Sequence, residues 1–422
     1  MLTNTYLPHL GGVARSVSAF TEQLRVSGHQ VLIVAPTFEN QPEEELDVIR
    51  IPAIQHFNGT DFSVRLPIPV ELSDKIELFN PDIVHSHHSF LMGDTALRVA
   101  ALYNVPIIFT HHTMYEQYTH YVPGDSLALK RYVIDLTTSY ANLCNRVIAP
   151  SESVREILIK RKVTQPIEVI PTGVDVATFM QGDGCSFRRK VKIPEHSFVV
   201  GHVGRLAEEK NLGFLCKAVG FFLKEQPDAH FLVVGSGDYE QKIQDFFAAN
   251  GLSERLHLAG SRDGKELVDS YHAMDVFVFA SQSETQGMVI TEAMAAGLPV
   301  IAVDAPGVRE IARSGENSYL LFSEDEEEFS RVLSQFHSLS MGAKEMLSAA
   351  ALATAHQFSI HRTTETLIQL YSSLTDAQAN RNPREHSRWQ SAIRLIEKEL
   401  EVWLNRAHAV GAAFNSSYDR LL

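Results

Sequence analysis

Cysteine is scarce in this sequence: Cys144, Cys185 and Cys216 are the only three in 422 residues. No two stand in a Cys-x-x-Cys pair, which excludes a disulfide scaffold and argues against structural zinc. A reducing compartment fits. Long apolar runs are missing too, since none approaches the roughly 18–20 residues that a spanning helix needs. The opening stretch from Met1 to His9 has no basic segment followed by an apolar one, so no signal peptide is expected and the protein reads as cytoplasmic. Positive charge is in deficit: 37 Lys and Arg face 51 Asp and Glu, a formal net charge of −14. A nucleic-acid partner is therefore not expected. No Asp-x-Asp occurs, so no obvious carboxylate pair is offered to a metal-bound diphosphate. Neither a metal nor a cofactor is expected. Gly235-Ser-Gly237-Asp238 lacks the third glycine of a dinucleotide fingerprint, and Gly260 to Glu266 lacks the spacing of a P-loop.

What the chain does have is alternation. Short β-branched runs, each the length of a buried parallel strand, lie at Val31–Ala35, Ile83–His85, Ile107–Thr110, Val147–Ala149 and Ile167–Ile170. A second series follows at Phe198–Val203, His230–Val234, Leu256–Leu258, Val276–Phe279 and Val300–Val303. Helical periodicity fills several gaps, as in Gly12 to Ser27, where Val13, Val17, Phe20 and Leu24 share a face. Two βα series predict two parallel-sheet α/β domains, with a single large doubly wound sheet as the alternative. The expected division is 1–175, a Pro- and Gly-marked linker at 176–194, a second domain at 195–358, and terminal helices at 359–422. Thr3-Asn4 reads as a strand end although only two residues precede it: either that strand is very short, or it begins upstream of Met1.

Ligands of open α/β sheets bind beyond the carboxyl ends of the strands, so the expected site is a cleft where two such edges face each other. Four segments fall at strand ends. Ser281 to Pro299 places Glu284 and Glu292 eight residues apart around Gly287, with Met288 to Ala296 as a helix whose first amides suit an anion. The plain alternative is two solvated glutamates at an ordinary turn. Arg205 and Lys210, five apart in one loop, can both reach one anion, or else pair with Glu208 and Glu209. Gly11-Gly12 opens a helix and permits close backbone approach. His111-His112 ends another strand. His85-Ser-His87-His88 superficially suggests metal ligands, but no downstream partner completes a set, and polar strand-end residues are the better reading.

Together these residues resemble the family-4 retaining glycosyltransferases of GT-B fold, over Thr3 to about Tyr371. The motifs are Glu284-x7-Glu292 before Ala-Met-Ala-Ala-Gly-Leu-Pro-Val, Gly-Arg-Leu-x-x-Glu-Lys-Asn at 204–211, Pro-Thr-Gly-Val-Asp at 171–175 and Pro-Gly-Val-Arg-Glu at 306–310. The resemblance implies that Glu284 holds donor-sugar hydroxyls and Glu292 the ribose. It implies that Arg205 and Lys210 neutralise the diphosphate, that Gly11, Gly12, Gly287, Met288 and Val289 bring backbone to the donor, and that His112 contacts the sugar. Glu284 and His112 are the candidate catalytic residues.

Glu-Thr-Gln-Gly at 284–287, together with His112 to Tyr121, resembles the subgroup that glucosylates diacylglycerol. The implied reaction moves a hexose, glucose favoured and UDP the probable carrier, to a hydroxyl with retention. Phosphatidylinositol or a polysaccharide are alternative acceptors, and a GT-B epimerase is an alternative enzyme. A lipid acceptor implies peripheral contact with an anionic membrane. Seven basic residues (Lys130, Arg131, Arg146, Arg155, Lys160, Arg161 and Lys162) against three acidic ones between Ser126 and Lys162 suit that role or make an ordinary charged face. Past Thr375, Trp389, Ile393, Ile396, Leu400 and Trp403 form one apolar helical stripe, expected to dock on the N-terminal domain.

Overall fold

The computed structural model describes residues 1–9, 11–54, 64–65, 70–119, 126–381 and 388–413. The chain forms two compact units: Met1–Gly173 with Thr363–Leu422, and Val174–Arg362. Each is built on a parallel sheet, as the alternation predicts.

In the first unit the parallel strands are β1 (Ile33–Pro36), β2 (Val48–Ile51), β3 (Val84–Ser86), β4 (Ile107–Thr110), β5 (Arg146–Ala149) and β6 (Ile167–Val169), beside a short antiparallel pair, Ala53–Ile54 with Val64–Arg65. β1 pairs with β2, and β3 to β6 follow one another in parallel register. Leu2 joins the two groups by bridging Val34 and Ser86, its amide donating to His85 at 2.8 Å and its carbonyl accepting from His87 at 3.0 Å. The strand suspected at Thr3-Asn4 is thus the central one, with Leu2 as its bridging residue. The strand order places β1 and β2 on one side of Leu2 and β3 onward on the other.

The second unit repeats this plan. Its strands are β7 (Phe198–Val203), β8 (Ala229–Val234), β9 (Leu256–Leu258), β10 (Val276–Phe279), β11 (Val300–Val303) and β12 (Ser318–Leu321), in the order β9-β8-β7-β10-β11-β12, all parallel. The chain begins in the middle, winds outward, then returns to the other side of β7. A crevice at the carboxyl ends of β7 and β10 follows from that reversal. β8, β10 and β11 are buried along their whole length, which is why they read as continuous apolar runs. β2 and β12 are not marked by a continuous apolar run because each mixes buried and half-exposed positions.

Residues 176–194 are not a bare linker. They fold as short helices Val176–Phe179 and Gly184–Lys190, and Val176, Phe187 and Ile193 enter the second unit's core. Gly184 is required there, because a Cβ would lie 1.9 Å from the His272 carbonyl oxygen.

Three helices of the first unit matter below: α1 (Gly12–Val26), α2 (Met92–Tyr103) and α3 (Leu127–Asn142). The C-terminal helix Arg388–Ala413 packs on α3 and α2, so the tail docks on the first unit. It does so with the opposite face to the one expected. Val402, Ala409 and Ala412 are buried, and Arg406–Asp94, Arg98–Glu399 and His408–Asp135 pairs fasten it. Small alanines let the helix approach closely, so Ile396, Leu400 and Trp403 stay 69%, 61% and 65% exposed. Trp389's side chain, like His120 and Tyr121, lies outside the described residues.

Candidate active site

The second unit's site forms at the reversal between β7 and β10. The loop after β7 carries Arg205 and Lys210, and the loop after β10 carries Glu284. Lys210 Nζ lies 2.5 Å from Glu284 Oε1, with both side chains largely covered at 15% and 20% exposure. Ser281 Oγ donates to the Glu209 carbonyl at 3.3 Å and ties the two loops together. Burial pushes the Glu284 carboxyl up, but the charge and hydrogen bond of Lys210 outweigh it, and the net shift is below the ordinary carboxylate value. Glu284 is therefore an ionised acceptor, not a solvated glutamate.

Gly287 adopts a left-handed conformation with φ +75° and leads into the helix Met288–Ala295. Gly307, from the Pro-Gly-Val-Arg-Glu segment, backs the loop, since a Cβ there would lie 2.7 Å from the Gln286 nitrogen. The first amides of this helix, at Met288 and Val289, open beside Glu284 in the chain, and a helix start favours negative charge. Glu292 is 7% exposed and accepts a 2.7 Å hydrogen bond from the Tyr271 hydroxyl. Arg205 follows the plainer alternative reading: its guanidinium pairs with Glu209, and its side chain is 47% exposed. Gly235 and Gly237, which fail as a dinucleotide fingerprint, have a packing role. A Cβ at either would lie 1.9 Å from the Gly204 carbonyl oxygen or 2.3 Å from that of Leu206.

The equivalent reversal in the first unit lies between the Leu2 strand and β3. Asn4 spans it, its backbone N–H donating to His88 Nδ1 at 3.0 Å and its side-chain Oδ1 accepting from the Met92 backbone N–H at 3.0 Å. Gly11 caps α1 in an extended conformation. His112, just past β4, places Nε2 2.9 Å from Nδ1 of His87. His85 bonds Thr110 and Tyr371, each at 2.6 Å. Burial lowers all five histidines here, with His88 and His111 falling to about 3 and His112 to about 4. They are neutral at pH 7. Among the described residues no group of three or more His, Cys, Asp or Glu is arranged to hold a metal ion.

Several residues escaped the sequence reading. Tyr271 sits inside a helix with no local mark. His202 is wholly buried within the apolar β7 run, its Nδ1 3.1 Å from the Val278 carbonyl. His87 was visible only as part of a polar triplet.

Two parallel doubly wound units match the GT-B fold, and a solved structure agrees: the chain superposes on Anabaena HepE in complex with UDP and glucose with a TM-score of 0.70, at 20% identity, over 88% of this chain and 99% of that one. Residues 10–178 match the family model "Glycosyltransferase Family 4", and residues 186–353 match "Glycosyl transferases group 1". The chain is 30% identical to the alpha-monoglucosyldiacylglycerol synthase of Acholeplasma laidlawii over 78% of its own length and 85% of the relative's. The synthase of the same name from Streptococcus pneumoniae is 31% identical over 72% and 71%. The chain belongs to glycosyltransferase family 4, and its enzyme class is hexosyltransferase.

Proposed function

We propose that this protein transfers glucose from UDP-glucose to diacylglycerol, with retention at the anomeric carbon, as a peripheral protein on the cytoplasmic face of a membrane. The observation that carries the donor half is the Lys210–Glu284 pair at the β7/β10 reversal, beside the start of the 288–295 helix. In this reading a bond forms between the acceptor oxygen and the anomeric carbon while the bond to the β-phosphate oxygen breaks. The acceptor proton passes to that phosphate oxygen. Negative charge grows on the leaving diphosphate, and Lys210, Arg205 and the amides after Gly287, at Met288 and Val289, are placed to stabilise it most in the transition state. Arg205 exchanges Glu209 for phosphate. Glu284, ionised, accepts hydrogen bonds from sugar hydroxyls and orients the ring; it is not a nucleophile. Glu292, fixed by Tyr271, takes the ribose. For the first unit, the family resemblance assigns Gly11 and Gly12 to donor phosphate and His112 to the sugar. No metal or cofactor enters this mechanism.

Support for the lipid acceptor is the similarity to two diacylglycerol glucosyltransferases and the exposed stripe Ile396, Leu400 and Trp403, a pattern suited to a bilayer interface. The basic stretch supports it less than the sequence suggests. Arg161 is buried against Glu116, and Arg155 pairs with Glu152 on the surface, so neither is a spare positive charge. The test is mass spectrometry of products from the full chain offered UDP-glucose or GDP-mannose with vesicles containing diacylglycerol or phosphatidylinositol, or with soluble sugars. Glucosyl-diacylglycerol from UDP-glucose is expected. A product on another acceptor, or donor turnover to an epimer without any acceptor, overturns the reading.

A further inference from the structure

Two nitrogens of the first unit's histidine cluster have no hydrogen-bond partner among the described residues although they are buried: His87 Nε2 and His111 Nδ1. The His87 nitrogen bears on the site. The residue is held by its backbone and by two neighbouring rings. The backbone amide donates to the Leu2 carbonyl at 3.0 Å, the ring of His85 lies 4.1 Å from its own, and the ring of His112 meets it edge to edge through the 2.9 Å nitrogen–nitrogen contact. Only 1% of the residue is exposed, so the ring has little freedom to turn away.

We propose that His87 is a positioning residue that fixes the tautomer of His112, so that His112 carries its proton on Nδ1 and presents a donor to the sugar. This rests on the reading of His112 as the residue that meets the donor sugar. The argument is proton placement. One of His87 Nδ1 and His112 Nε2 must donate across their 2.9 Å contact. Both rings are neutral, because burial, reinforced for His87 by its histidine neighbours, disfavours the charged forms. If His112 donated, His87 would hold its own proton on Nε2, a buried N–H with no described acceptor. If His87 donates, its Nε2 is a bare acceptor. Orphaned buried N–H groups are rarer than under-satisfied acceptors. The second arrangement is therefore favoured: His87 Nδ1–H donates, His112 Nε2 accepts, and the remaining proton of His112 sits on Nδ1.

The test uses the full chain labelled with 15N-histidine, the variants His87→Leu and His87→Asn, and UDP-glucose as the donor. Leu removes the donor while keeping bulk; Asn can restore an N–H near the lost Nδ1 position. In the parent chain the ring nitrogen shifts of His112 are expected to report the Nδ1–H form. His87→Leu should shift them toward the Nε2–H form, lower kcat/KM for UDP-glucose about tenfold, and leave the dissociation constant for UDP unchanged. His87→Asn should recover the Nδ1–H form and most of the rate. A His112 tautomer that is the same in His87→Leu as in the parent overturns the proposal. So does a His87→Asn chain with His112 in the Nε2–H form, even where the Leu variant does not fold. A fully active His112→Ala chain would instead overturn the assignment of His112 to the sugar, and the tautomer readout separates the two failures.

Discussion

The two units reverse their strand order in the same way and place opposite chemistry at the reversal. In the first, the loops after the Leu2 strand and β3 meet through neutral groups, Asn4 with His88, and β4 adds His112 to His87. In the second, the loops after β7 and β10 meet through charge, Lys210 with Glu284. The same backbone plan thus provides one edge that only exchanges hydrogen bonds and one that can neutralise an anion. The difference arises in residues at strand ends, because the strands themselves are interchangeable apolar runs. On the proposed reading the charged edge carries most of the diphosphate's neutralisation, while the first unit's side chains offer only neutral hydrogen bonds.

The sharpest way to break this comparison is to remove charge from the second edge. Glu284→Ala is expected to lower kcat about a thousandfold while far-UV circular dichroism stays unchanged, since a preplaced acceptor for the reacting sugar is lost. Normal turnover would leave the charged edge without a role in chemistry. Lys210→Ala comes next. It should weaken UDP binding about a hundredfold by calorimetry, because a covered cation on a phosphate is a strong contact. An unchanged dissociation constant would move the diphosphate elsewhere.

Acid separates the edges by a different route. The unfolded chain takes up a proton on each histidine near pH 6.5, but folded His88 and His111 refuse it until about 3. Unfolding is therefore favoured as pH falls through this window, by about 1.4 kcal/mol per pH unit for each of these two residues. Glu284, shifted down instead, keeps its contribution until pH falls below the ordinary carboxylate range, and loses it there. Buried His202, held down to about 4, adds one such residue to the second edge against five in the first. Hydrogen exchange followed by mass spectrometry, corrected for the intrinsic rate, should therefore show amides of the 84–112 region losing more protection between pH 6.5 and 4.5 than those of 198–210 and 276–292. Equal loss in both would remove the contrast.

Much of this was legible in the residues themselves. All ten apolar runs are strands of the two sheets; eight are largely buried inner strands, while Ile167–Val169 and Leu256–Leu258 are half-exposed edges that kept an apolar run. Glu284, Gly287 and Lys210 announced themselves by standing just past such runs. What was not legible depended on partners far along the chain. Nothing near Val48–Ile51 or Ser318–Leu321 marks an edge strand that is only partly buried. The Ile396, Leu400 and Trp403 stripe is the strongest periodic signal in the tail, yet the weaker seam of Val402, Ala409 and Ala412 does the docking, because Asp94, Arg98 and Asp135 lie where only that face can meet them. Periodicity reports that a face is apolar and is silent on what covers it.

Tyr271 sharpens the comparison at its finest grain, because it supplies a neutral hydrogen bond inside the charged edge. Its hydroxyl donates to Glu292, which is buried and accepts this bond at 2.7 Å. Tyr271→Phe keeps the ring packed against Phe179 and Phe277 and removes only the oxygen. A net hydrogen bond of this kind is worth about 1 kcal/mol. The expected result is a rise of about fivefold in KM for UDP-glucose with kcat little changed, since a contact to the ribose is made equally in ground and transition states. A fall in kcat at constant KM would mean that Glu292 acts on the reacting sugar rather than on the nucleoside, and would place both glutamates of the motif in the chemical step.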